Sequence, residues 1–168
     1  MKRFLSALLV SGCLLGTFPA LTLAQSGLTL FSGVKRENQL SYRLDFGGQT
    51  NDWDRYRLRI PQKKMKVAAA KFVISYPNYY EGSFDTDEVE VKVKGKKVEL
   101  EKVNWDKEGN VLEIYPKEAV PAGNRVELIL DNTRNPSSGG IFYFNCSIQS
   151  PGDLPLARYI GTWIIDIS

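Results

Sequence analysis

Hydrophobic and polar positions alternate along most of this chain with a period of two. Glu88 to Lys94 is the cleanest case. Val89, Val91 and Val93 point one way, and Glu88, Glu90, Lys92 and Lys94 point the other. One apolar and one wet face describe a strand of an antiparallel sheet. Leu40, Tyr42, Leu44 and Phe46 alternate in the same way before Gly47-Gly48, as do Tyr56, Leu58 and Ile60 before Pro61. Val67 to Tyr76 is more apolar. Its alanine run allows a helix, but Phe72-Val73-Ile74 followed by Pro77 favours a strand. Gly95-Lys96 suits a tight hairpin, and Val98 and Leu100 are in phase on its return arm. Val103 and Trp105 are out of phase with them, which predicts a β-bulge near Glu101-Lys102.

Further strands follow at Val111 to Tyr115, Arg125 to Leu130, Ile141 to Gln149 and Tyr159 to Ile167, with a short first strand at Leu28 to Phe31. Asp106 to Asn110, Asn132 to Gly140 and Ser150 to Pro155 read as loops. The last strand is apolar on both phases around Trp163-Ile164-Ile165, which requires cover on both faces. No segment has a helical apolar period. About nine strands at this spacing predict an all-β, Ig-like antiparallel β-sandwich rather than a barrel, because one-sided and two-sided strands are mixed.

The first 24 residues break this pattern. A basic lead (Met1-Lys2-Arg3), an uncharged run from Phe4 to Phe18 and a small-residue close at Thr22 and Ala24 form a secretory signal peptide pattern over 1–24. The apolar run is shorter than the roughly 20 residues of a membrane-spanning helix. The mature chain, 25–168, is therefore expected as a single exported domain, in the periplasm, outer envelope or beyond, with no integral membrane span. Val10-Ser11-Gly12-Cys13 offers an alternative, lipid attachment at Cys13.

Composition narrows the chemistry. The formal net charge of +3 falls to +1 without Lys2 and Arg3. That gives no electrostatic case for nucleic acid or anionic membranes, and Lys63-Lys64 and Lys94-Gly95-Lys96-Lys97 read as solvated turns. Removal of Cys13 leaves Cys146 without a disulfide partner. Cys146 shares parity with Phe142, Phe144 and Ile148, as a buried small hydrophobe would. The chain has no histidine. Triad catalysis and histidine-ligated metals are thereby excluded.

Asn132-Thr133-Arg134-Asn135-Pro136-Ser137-Ser138-Gly139-Gly140, entering the aromatic strand Ile141-Phe142-Tyr143-Phe144, resembles the signature of an exported cyanobacterial family known as domain of unknown function 2808. Ser150-Pro151-Gly152, Arg158 to Trp163 and Phe84 to Val91 also fit that family, and the resemblance spans roughly Leu40 to Ile167. It implies an exported β domain and brings no catalytic residues and no cofactor.

Four clusters remain as candidates. Tyr79 and Tyr80 are adjacent, so an extended backbone turns only one of them to the core and leaves the other ring for stacking or gripping. Trp53, flanked by Asp52 and Asp54, offers a second ring; the carboxylates flanking it suggest, as an alternative, a carboxylate-dependent polysaccharide hydrolase. Asp85, Asp87 and Glu88 suit either calcium or an Asp-stabilised turn, the turn being preferred. The Arg134–Gly140 stretch suits an anion or, as preferred, a structural turn in which Gly139-Gly140 supplies positive φ. The expected function is a non-catalytic binding or structural module whose partner is an envelope polymer or protein, with Tyr79, Tyr80 and Trp53 as surface contacts.

Overall fold

The computed structural model describes residues 33–152 and 156–168. The signal peptide expected over 1–24, Cys13 and the first strand expected at Leu28 to Phe31 lie outside the described residues. Among the described residues eleven strands form two facing sheets. The first sheet contains β1 (Gln39–Leu40), β11 (Ala157–Ile167), β10 (Gly140–Gln149), β4 (Lys71–Ser75), β8 (Val111–Pro116) and β7 (Leu100–Asp106), in that order. The second contains β2 (Tyr42–Leu44), β3 (Trp53–Ile60), β9 (Val126–Arg134), β5 (Val89–Val93) and β6 (Lys96–Val98). All pairings are antiparallel except β1 with β11, which is parallel. No helix among the described residues is long and apolar enough to cross a membrane.

The strand count exceeds nine for a physical reason. The segment expected as one strand over 40–46 divides at Ser41: β1 joins one sheet and β2 the other. The return arm of the Lys94-Gly95 hairpin divides in the same way at Glu99, into β6 and β7. Both lateral edges of the sandwich are thus spanned by a segment that changes sheet. This shortens the exposed edge strands, which would otherwise invite pairing with another chain. Phe46 lies beyond β2 and is exposed, contrary to its apolar phase, because Gly47 (φ 93°) and Gly48 (φ 68°) turn the chain away.

One local expectation holds as made, and three are adjusted. The β7–β8 ladder shifts register between Leu100 and Lys102, where the bulge was predicted. The first hairpin turn is Lys94-Gly95 rather than Gly95-Lys96, with φ of 51° and 86° as a primed two-residue turn requires. The 67–76 segment is extended, but its ladder strand is only β4, preceded by an isolated bridge between Ala69 and Val120. The 132–140 loop is shorter than composition suggests. Asn132–Arg134 continue β9 past a register shift opposite Arg55, which leaves 135–139 as the connection.

The core lies between the sheets. Trp163 is fully buried, and its indole N–H donates to the Arg59 carbonyl (3.2 Å), tying β11 to β3 across the sandwich. Phe142, Phe144, Cys146 and Ile148 all face inward, as their parity predicts. Cys146 is free, and burial drives its thiol pKa up. The outer face of the second sheet carries paired charges instead. Arg57 Nε meets Asp45 Oδ2 at 2.7 Å, and Arg55 Nε meets Asp131 Oδ2 at 2.7 Å. Burial raises the Asp45 carboxyl pKa, but Arg57 and Arg43 outweigh it and hold the group below its usual value. The hydrogen bond from Arg55 lowers that of Asp131.

Gly139 is needed for a reason other than the positive φ expected of it. It is not among the positive-φ glycines, whereas Gly140 (φ 156°) is, as expected. A Cβ at Gly139 would sit 2.9 Å from the Ile167 carbonyl oxygen. Gly139→Val is expected to cost about 1–3 kcal/mol through this overpacking, read as a lower Tm in thermal denaturation. An unchanged Tm would refute the close approach.

Candidate binding surface

Pro77 ends β4, and a turn closed by the Tyr80 N–H to the Pro77 carbonyl (2.9 Å) separates the paired tyrosines. Tyr79 is 58% exposed and Tyr80 3%. Tyr80 is therefore not a surface contact, which corrects the expectation for it. Its ring stacks on Phe84 (5.7 Å between centroids, 14°) and meets Phe144 edge-on (4.9 Å). Its hydroxyl lies 3.1 Å from that of Tyr56. The Tyr56 hydroxyl donates to Asn135 Oδ1 (2.6 Å), and Asn135 Nδ2 donates to the Gln49 carbonyl (2.8 Å). Because Tyr56 spends its proton on Asn135, Tyr80 is the donor to Tyr56. Burial pushes both phenol pKa values up.

This buried chain explains the signature loop. Asn135 is 2% exposed, and its backbone N–H also donates to the Asp52 carbonyl (2.9 Å). The Pro136 carbonyl accepts from the Asn51 N–H (3.0 Å). The loop is held to the 49–52 turn from both sides. Outside it, the Tyr79 ring rests on Phe142 (5.7 Å, 33°). Together with Glu81, Pro136, Ser138 and Gly139 these two rings line a shallow hollow of about 310 Å³. Trp53 opens β3 at the same end of β9. It is 49% exposed, with the Arg134 guanidinium 5.3 Å from its ring centroid. It lines a separate hollow of about 260 Å³ with Phe84, Asp85 and Asn132. Arg134 is bonded through its backbone N–H and carbonyl to Ser83 (2.9 Å each).

The carboxylates flanking Trp53 sit in different surroundings. Asp54 is 1% exposed and accepts from the N–H groups of Phe46 (3.0 Å), Gly48 (2.7 Å) and Arg55 (2.7 Å). It holds the Gly47-Gly48 turn, while Asp52 is exposed. Asp85 accepts from the Asp87 N–H (3.1 Å) and from Asn132 Nδ2 (2.8 Å), the turn role preferred for it. Among the described residues no three acidic or cysteine side chains gather as a metal site would require.

Sequence reasoning missed the part of Phe142 in this surface and the Tyr56–Asn135 bond. One signal was available: Tyr56 shares an inward phase with Leu58 and Ile60, and a buried tyrosine hydroxyl needs a partner.

The architecture is that of an all-β, two-sheet sandwich of immunoglobulin-like type. The chain belongs to the family described as Protein of unknown function (DUF2808), whose model matches residues 28–167. Among solved structures it is similar to BslA, a bacterial hydrophobin, with 14% identity, TM-score 0.50, and coverage of 77% of this chain and 97% of that one. It also matches the collagen-binding domain of a Staphylococcus aureus adhesin (10%, TM-score 0.45, 76% and 95%) and an uncharacterized Nocardia farcinica protein with an immunoglobulin-like fold (10%, TM-score 0.44, 77% and 98%). No curated protein matches the chain.

Proposed function

We propose that this domain is an exported, non-catalytic binding or structural module of the cell envelope. Its signature-loop end contacts an extended envelope polymer. The observation that carries this reading is the exposed Tyr79 ring, propped on Phe142 beside Glu81 and Ser138. A fixed aromatic face next to polar groups suits stacking on a sugar ring, and a ring already seated on its neighbour loses little entropy on binding. The engagement of Asp54 in three backbone bonds speaks for binding without turnover. The N-terminal basic–apolar–small pattern supports export.

Co-sedimentation of the mature domain with isolated envelope polysaccharide tests the proposal. Wild-type protein should be retained without release of reducing ends, and Tyr79→Ala should bind roughly fivefold more weakly. Equal retention of the variant, or release of reducing ends, would count against it.

A further inference from the structure

At the other end of β9 from Arg134, the fold gathers cations that the chain keeps apart. Arg59 on β3 and Lys92 on β5 flank Glu127 of β9 in one cross-strand row, and Lys97 on β6 extends it. Arg125 precedes β9, its carbonyl accepting from the Lys94 N–H (3.0 Å). Arg59, Lys92, Gly95, Arg125, Val126 and Glu127 line a hollow of about 260 Å³. Glu127 is the only carboxylate in this lining. It is engaged by Arg59 (3.1 Å) and approached by Arg57 (3.7 Å). Arg125 has no ion-pair partner among the described residues, and Lys92 stands 3.7 Å from Glu90. Three cations against one carboxylate leave this groove positive, although the sequence from residue 25 onward is nearly neutral.

We propose that this groove is an anion-binding site that takes the sulfate or carboxylate groups of an acidic polysaccharide. Guanidinium forks match two oxygens of such a group, and Glu127 holds the Arg59 side chain over the hollow before the ligand arrives. The lining has no aromatic ring on which a nucleobase would stack. None of the large exposed hydrophobics (Phe46, Trp53, Tyr79, Ile141, Tyr143, Leu156, Tyr159) belongs to it, so nothing there inserts into a lipid surface. The site is independent of the Tyr79 surface, which lies by the opposite end of β9.

Calorimetric titration of the mature domain at about 20 mM salt, where surface charge is weakly screened, tests the site. Dextran sulfate and polygalacturonate separate the two anion sources, and neutral dextran is the control. Binding of either polyanion but not of dextran is expected, weakened about fivefold by Arg125→Gln and unchanged by Lys107→Gln, a cation on another hairpin. Unchanged Tm in both variants confirms that folding is intact. The site is refuted by absence of polyanion binding, by equal losses in the two variants, or by equal binding to vesicles of anionic lipid.

Discussion

Asp54→Ala is expected to lower the unfolding free energy by about 3 kcal/mol or more, the largest effect of any single polar change in this domain. The carboxylate is buried and accepts three N–H groups, from Phe46, Gly48 and Arg55. Hydrogen bonds to a charged acceptor are worth about 1.5–3 kcal/mol each, and these do not add fully because they share one group. Alanine removes the acceptor and leaves the Gly48 N–H inside without a partner. The loss would appear in urea denaturation as a lower midpoint at an unchanged slope. Asp54→Asn retains one acceptor oxygen and should cost less than alanine. A midpoint within error of wild type for Asp54→Ala would mean that the Gly47-Gly48 turn holds itself. If Asp54 served catalysis instead, the same variant would abolish an activity while leaving stability nearly unchanged.

The second large effect is expected at Asn135. Asn135→Leu strips the Tyr56 hydroxyl of its acceptor and the Gln49 carbonyl of its side-chain donor, at a cost of about 2–4 kcal/mol. The informative experiment is a double-mutant cycle with Tyr56→Phe. The double variant orphans only the Gln49 carbonyl and the Tyr80 hydroxyl, fewer groups than the two singles orphan between them, so it should be more stable than the sum of the singles predicts, by about 1 kcal/mol or more. Strict additivity would show that the 2.6 Å bond contributes nothing to folding. Both variants should keep the β-sheet circular dichroism signal, since the strands do not depend on this contact for pairing.

The two predictions concern residues whose roles the one-dimensional pattern conveys to different degrees. Alternation places Tyr56 indoors beside Leu58 and Ile60. Its partner lies 79 residues away, at the end of a strand in the same sheet, and no local rule names it. Asn135 looks like a turn former because it precedes proline. Its buried side chain is a consequence of the 49–52 turn meeting the signature loop. Asp54 shares the inward parity of Tyr56, Leu58 and Ile60, but nothing local shows that the glycine turn will supply the N–H donors a buried carboxylate needs. For Tyr79 and Tyr80, adjacency alone forces one ring in and one out; which ring goes which way is decided by the aromatic cluster of Phe84, Phe142 and Phe144 waiting on one side.

Period-two alternation, turn residues and the absence of a helical period determined that this chain is a β-sandwich, and the lack of histidine limited its chemistry. These are properties of neighbouring residues, and backbone sterics translate them directly into strands and turns. Which strands share a sheet, where a segment crosses at Ser41 or Glu99, and which distant side chains meet belong to the tertiary structure. Arg59, Lys92 and Arg125 are far apart along the backbone, and only strand register sets them around one groove. Register depends on the packing of both faces at once, which no single segment encodes.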